Sequence, residues 1–280
     1  RDLDYFDLSE PFKGLFTQGM VTHQTYRNNK GDWLEPKDVE FKNGNYFDNN
    51  NIVVEVGKIE KMSKSKKNVV DPSDIIEVYG ADTARWFMLS DSPPERDLQW
   101  TETGIISSHK FINRLWDFVN KYKEYDCLVD KDPDYKNRLK IIINDVTKNI
   151  DNFQFNKSVA KIYEYVNIFN EAITKKNISN ESYGWSLRKL SIILQPFVPH
   201  ISEEIWQNLN NTSLCIDENW PVEKVSNISA KYNIAAQING KTKAIIVIDS
   251  SKEKEEVVEI IKNNEKIKKI IQDKKILREI

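Results

Sequence analysis

Cysteine, glycine, proline and histidine are all scarce in this chain of 280 residues, at two, nine, nine and three copies. Cys127 and Cys215 lie far apart, which argues against a disulfide framework and suits a reducing compartment. His23, His109 and His200 are scattered and no Cys-x-x-Cys occurs, so no structural zinc is expected. No apolar run approaches the roughly eighteen residues a membrane-spanning helix needs, and no signal-peptide pattern opens the chain. Few glycines and prolines leave room for long helices. At 39% hydrophobic and 30% charged residues the composition is that of a water-soluble globular protein, and the length exceeds what one simple core organises. The chain opens on Arg1 rather than Met, so it reads as a piece of something longer.

A strong charge imbalance is also missing overall. The net formal charge is −2, which speaks against indiscriminate binding of polyanions. That average hides an uneven distribution. Residues 231–280 hold twelve Lys/Arg against eight Asp/Glu, a net of +4, and the other residues hold 29 against 35, a net of −6. The basic end is the better candidate for touching phosphates.

What is present changes character along the chain. Up to about residue 60, short strand-like runs such as Ile52-Val53-Val54-Glu55-Val56 alternate with glycines, and a polar excursion runs from about Asn28 to Asn51. Asp71-Pro72 is a helix start, with an acidic cap and Pro at the first helical position, and Gly80 suits its end. A second short helix is expected over Asp82–Leu89, before Ser92-Pro93-Pro94. From Thr101 the apolar spacing becomes helical. Ile105, Ile112, Leu115, Val119 and Tyr122 form one stripe; Leu139, Ile142, Val146 and Ile150 form a second; Val159, Ile162, Val166, Phe169 and Ile173 form a third. A fourth helix is expected over about Ser182–Leu194 and a fifth after Pro199, together an antiparallel bundle. The last fifty residues read as a hairpin around Asn239-Gly240, a helix from about Glu253 to Asn263, a further helical turn and a closing strand near Lys275–Ile280.

One segment carries chemistry. Residues 61–67 read Lys-Met-Ser-Lys-Ser-Lys-Lys. Such a run is most often a solvated loop. A mobile loop with two lysines and two hydroxyls can also close over a triphosphate, its ammonium groups stabilising charge that moves onto pyrophosphate when a carboxylate attacks the α-phosphate.

Lys61-Met62-Ser63-Lys64-Ser65 resembles the KMSKS signature of class I aminoacyl-tRNA synthetases, and Lys66 to Arg85 resembles the sequence that follows it there. Isoleucyl, valyl and methionyl enzymes typically place Gly-Asn after the motif, where this chain has Lys67-Asn68, a departure the leucyl enzymes tolerate. Two further stretches resemble bacterial-type leucyl enzymes in particular: Pro11-Phe12-Lys13-Gly14-Leu15-Phe16-Thr17-Gln18-Gly19-Met20-Val21, and Phe87 through Pro93-Pro94-Glu95-Arg96-Asp97-Leu98-Gln99-Trp100. The likeness continues through Asn156-Lys157, Pro196–His200 and Gln237–Lys241, so it covers nearly the whole chain.

The resemblance implies a mainly α chain: the end of a class I, Rossmann-type catalytic domain, an antiparallel helical bundle, then a small α+β domain. Residues 1–100 would close the catalytic domain, with a leucyl-specific insertion at about 22–58, the KMSKS loop at 61–65 and a stem-contact region at 66–100. Residues 101–222 would be the bundle of anticodon-binding type, and 230–280 a terminal tRNA-binding domain lacking its last strand. The family joins leucine to tRNA-Leu at the expense of ATP, with Mg2+. Lys61 and Lys64 would act catalytically, and Lys61, Met62, Ser63, Lys64 and Ser65 would bind ATP, while Asn68 would order the loop rather than react. The first nucleotide-binding signature, the amino-acid pocket and the editing domain lie upstream in the family and are not in this chain. Alone it is therefore expected not to charge tRNA, and its loop to be poorly ordered. The family is cytoplasmic and usually monomeric, with no membrane contact.

Asn239, Lys241 and Lys243 are the expected tRNA contacts of the terminal domain, since lysines two apart on a strand share a face; a solvated edge is the plain alternative. Trp116, Trp185, Trp206, Phe153 and Phe169 read as core rather than as base-stacking platforms. His200 reads as a capping or packing residue, and His109 as structural. The competing function is a stand-alone tRNA-binding or protein-interaction module of synthetase ancestry.

Overall fold

The computed structural model describes residues 3, 5, 7, 8, 10, 12–225, 231–238, 241–249 and 254–272. Two compact units divide the chain, Arg1–Lys224 and Val225–Ile280.

The first unit begins with short strands: β1 (Val21–Arg27), β2 (Trp33–Leu34), β3 (Val39–Lys42), β4 (Asn45–Asp48) and β5 (Glu55–Lys61). β5 runs antiparallel to β1 along one edge, with a register shift between Gln24 and Tyr26, and β2 pairs antiparallel with the far end of β1. β3 and β4 form a separate hairpin, so the polar excursion is a small structure of its own rather than a bare loop. Two helices follow. In α1 (Pro72–Tyr79), the Asp71 carboxylate accepts the Ser73 N–H at 2.8 Å and Pro72 gives up no hydrogen bond. Gly80, at φ +84°, ends it, and α2 (Ala81–Ser90) starts at once. β6 (Leu98–Gln99) then returns to pair in parallel with the start of β1.

Five helices complete the unit: α3 (Glu102–Glu124), α4 (Tyr135–Asp151), α5 (Phe155–Thr174), α6 (Asn180–Leu194) and α7 (Pro199–Asn208). Apart from Ile105, which packs with Phe87 and Leu98 in a separate cluster, the apolar stripes read from the sequence face one shared core, in which Leu115, Leu139, Ile143, Val146, Ile162, Val166, Phe169 and Leu187 have no exposed surface. Buried rings keep their hydroxyls bonded: Tyr183 donates to Phe118 O at 2.9 Å, Tyr165 to Ser186 O at 2.9 Å, and Tyr135 shares a 2.7 Å bond with Ser186 Oγ. Thr101 and Ser179 cap α3 and α6 through side-chain oxygens. The segment after α7 is strapped back: the Trp220 indole donates to Thr147 Oγ1 at 2.8 Å, and the Glu223 carboxylate lies 2.7 Å from Lys189 Nζ.

Of the aromatics read as core, Phe169 and Trp206 are buried and Trp116 and Trp185 pack half-buried against the core. Phe153 is a correction. It occupies the tight turn between α4 and α5 at φ +55°, half-exposed, and stacks on Phe16 at 4.9 Å. The turn needs a left-handed residue there, and that points its ring away from the core.

The second unit consists of β7 (Lys231–Ile238), β8 (Lys241–Asp249), α8 (Lys254–Asn263) and α9 (Glu265–Ile271). β7 and β8 pair antiparallel, and Ala236, Ile246 and Ile248 close over Ile267. The Asn239-Gly240 turn and the expected strand at 275–280 lie outside the described residues.

Candidate functional site

The lysine segment leaves the sheet at the end of β5. Lys61 is the last strand residue, opposite Thr22, and the Met62 N–H donates to Val21 O at 3.1 Å. A single 3-10 turn over Lys64–Lys66 follows, closed by the Lys67 N–H on Lys64 O at 3.2 Å. Lys67 sits at φ +52°, in the left-handed region. Glycine reaches this conformation without strain and lysine at a cost of roughly 1–2 kcal/mol, so the geometry gives a reason for glycine here and none for the lysine.

Asn68 holds the turn together. Its side chain is fully buried; Oδ1 accepts the Ser63 N–H at 2.9 Å, and Nδ2 donates toward His23 O at 3.2 Å, Glu60 O at 3.3 Å and Lys61 O at 3.4 Å. One amide thus fastens both ends of the loop to β1. The Ser63 and Ser65 hydroxyls are 3.3 Å apart, and Lys66 is ion-paired with Glu60. Among the described residues, Lys61 and Lys64 have no carboxylate partner, and both are exposed.

Beside the turn opens a cleft of about 620 Å³. Lys64 lines it, whereas Lys61, Met62, Ser63 and Ser65 do not. Sequence reasoning missed two other cations on its wall, Lys67 and Lys37. Lys37 lies in the 3-10 turn Pro36–Asp38 of the polar excursion, 2.9 Å from Glu35. The hydrogen bond and charge of Lys37 hold the Glu35 carboxyl below the usual carboxylate range. Glu35, Asp71, Asp74 and Glu102 also line the cleft, so it offers an anion discrete ammonium groups rather than a broad positive field. Among the described residues no group of three His, Cys, Asp or Glu side chains is placed to hold a metal ion.

The two stretches singled out for their leucyl-like sequences meet in space. Gly19 N–H donates to Pro94 O at 2.9 Å, Met20 N–H to Asp97 Oδ1 at 2.8 Å, and Leu98 N–H to Met20 O at 2.9 Å. A Cβ at Gly19 would lie 2.0 Å from Arg96 O, so only glycine permits this approach.

The family described as "Anticodon-binding domain of tRNA ligase" matches residues 132–278, more than half of the chain. The chain belongs to this family. A second family, "tRNA synthetases class I (I, L, M and V)", matches residues 47–101 of this anticodon-binding-domain protein, the stretch that holds the lysine loop. The chain is 39% identical over 274 residues to a leucine–tRNA ligase of Zymomonas mobilis, covering 97% of this chain and 32% of that ligase. It is 41% identical over 261 residues to one of Hyphomonas neptunium, covering 89% and 30%. To one of Rickettsia bellii it is 37% identical over 277 residues, covering 98% and 33%. The chain thus spans about a third of the length of the curated relatives it matches. Its fold is similar to the Agrobacterium radiobacter K84 LeuRS in a ternary complex with tRNA and LeuAMS, with a TM-score of 0.71 and 25% identity, covering all of this chain and 34% of that one.

In this family member the terminal hairpin departs from the simple pattern. Lys241 and Lys243 are both exposed on β8, and Asn239 lies outside the described residues. The register slips between Ala236 and Gln237, pairing Ala236 with Ala244 but Gln237 with Thr242, which leaves Lys243 as an extra residue. Alternation does not run across a bulge, so the one-face reading of the two lysines does not follow from their spacing. The histidines are structural in setting. His109 Nδ1 lies 3.3 Å from Tyr79 O, and the exposed His200 side chain faces Asp82 at 3.3 Å.

Proposed function

We propose that this chain is the C-terminal portion of a leucine–tRNA ligase, an enzyme that activates leucine with ATP and transfers it to tRNA-Leu. The observation that carries this reading is the K-M-S-K-S turn, fastened by Asn68 at a cleft and leaving Lys61 and Lys64 without carboxylate partners among the described residues. Support comes from relatives at 37–41% identity that are leucine–tRNA ligases.

In this reading the chain ends a class I catalytic domain. Lys64 contacts the ATP phosphates from the cleft wall, Lys61 approaches from the strand end, and the backbone around Met62, Ser63 and Ser65 supports them. The leucine carboxylate attacks the α-phosphate, and the ammonium groups stabilise charge gathering on the departing pyrophosphate. Mg2+ would travel with the nucleotide's own phosphates, since among the described residues no group of three His, Cys, Asp or Glu side chains is placed to hold it. The helices α3–α7 and the basic hairpin, through Asn239, Lys241 and Lys243, contact tRNA along backbone and stem. The protein works as a cytoplasmic monomer, and this stretch without the upstream catalytic half does not aminoacylate.

Titration of the chain with tRNA-Leu and tRNA-Ile over a salt series tests the reading. Tighter binding to tRNA-Leu, weakening steeply with salt and less steeply after K241A/K243A, supports it. Equal, weak binding to both tRNAs places discrimination elsewhere, and no binding to either removes the tRNA-contact part.

A further inference from the structure

The second helix after the lysine loop, α2, holds the corner where α6 ends and α7 begins. Asp82, on the first turn of α2, is nearly buried, and its carboxylate accepts the Ile201 N–H at 2.7 Å and the His200 N–H at 3.4 Å. Those N–H groups open α7, whose own cap residue, Val198, has no side-chain acceptor. Asp82 therefore supplies from another element the cap that α7 lacks. Three residues on, Arg85 Nε donates to Phe197 O and Nη2 to Pro196 O, both at 2.8 Å, at the turn that ends α6. A carboxylate meets the positive start of α7, as its backbone dipole favours, and a guanidinium binds two carbonyls of the connection just before it. Next to them Trp86, with no exposed surface, donates its indole N–H to the Tyr163 hydroxyl at 3.0 Å and stacks on Phe111 at 4.5 Å. Between Lys64 and Asp82 lie the buried Asn68, the capped helix α1 and Gly80, whose N–H donates to Ile76 O at 2.9 Å.

We infer that Asp82 and Arg85 are positioning residues that fix the lysine loop in register with the α6–α7 corner, so that a tRNA held on the helices presents its end where the loop holds the nucleotide. The inference rests on the proposed function and adds a coupling role to two residues outside the loop. Neither Asp82 nor Arg85 lines the cleft beside the loop, so their effect falls on transfer to tRNA and not on activation.

The test uses the full-length ligase carrying this chain. Leucine-dependent ATP–pyrophosphate exchange, a half-reaction written without tRNA, is compared with aminoacylation of tRNA-Leu for D82A, D82N, R85A, R85K and the core variant L139A. The expected result for D82A and R85A is exchange within about twofold of the parent and aminoacylation kcat lower by about tenfold or more. D82N, which keeps one acceptor, and R85K, which keeps the cation, recover part of that loss. L139A lowers the melting temperature while both activities fall together. If the Asp82 and Arg85 variants also lose both activities in step with their melting temperatures, they are structural only and the inference is overturned. A parent enzyme without leucine-dependent exchange would instead overturn the proposed function, and the inference with it.

Discussion

The helical core between α3 and α7 and the lysine turn between β5 and α1 both reach one definite shape, by opposite routes. In the core the specification is spread over many apolar side chains, each contributing one face of a helix to a shared interior. In the turn it is concentrated: the single side chain of Asn68 bonds to Ser63, His23, Glu60 and Lys61, and Lys67 alone takes the left-handed step. Distributed packing writes a period into the sequence and degrades gradually when one residue changes. A concentrated hub writes no period and fails at a single position.

Four substitutions sharpen or break that contrast, taken from the largest expected effect to the smallest. Phe169→Ala removes a fully buried ring from the core and should cost about 3–5 kcal/mol, read from the shift of the denaturant midpoint, with the loop's susceptibility to trypsin unchanged. Asn68→Ala leaves the Ser63 N–H and three carbonyls without their partner and should cost about 1–3 kcal/mol locally. Limited trypsin digestion at Lys61, Lys64, Lys66 and Lys67 should accelerate while the core unfolds at nearly its parent midpoint. The same digestion of the unsubstituted chain decides whether the loop is poorly ordered or held by its buried amide. Equal cutting of parent and variant would break the comparison.

Lys67→Gly should stabilise by up to about 1 kcal/mol, the relief of left-handed strain being partly offset by the unfolded-state freedom of glycine. A lower melting temperature would show that the Lys67 side chain itself supports the turn. The smallest effect concerns Asp130. Burial alone would raise its carboxyl, but the Ser179 N–H and the Ser182 and Ser179 hydroxyls outweigh that and hold it below the usual range. A depressed carboxyl stabilises the fold above its unfolded pKa of about 3.9 and loses that contribution as pH falls through the lower folded value. Asp130→Asn should therefore flatten the acid limb of a stability-versus-pH curve below about pH 4, with little change in slope near neutrality. An unchanged acid limb would assign the acid loss to other carboxylates.

The sequence made some of this legible and not the rest. The core helices appeared because their apolar residues repeat at helical spacing, and α1 because Asp71, Pro72 and Gly80 act within one or two residues of the ends they define. Phe153 misled because its position in a left-handed turn, not its hydrophobicity, sets where the ring points. Arg85 stood inside the quoted motif, yet nothing local ties it to Pro196 or Phe197, and Asp82 likewise caps a helix far along the chain. Lys37 escaped notice because a charged residue in a polar excursion carries no sign of the cleft it lines. At the hairpin, alternation was a sound rule applied across a bulge that spacing alone does not reveal.

The contact between Gly19 and Arg96 constrains how this protein can be recombined. The two stretches approach backbone to backbone, so neither can be exchanged for a homologue's version unless the other already fits it. A chimera that carried only one would place a side chain or an altered turn into a gap with no room for even a methyl group. Breakpoints between them should be selected against in shuffled libraries, and the two segments should be inherited as one block although they are separated by the whole excursion and the lysine loop.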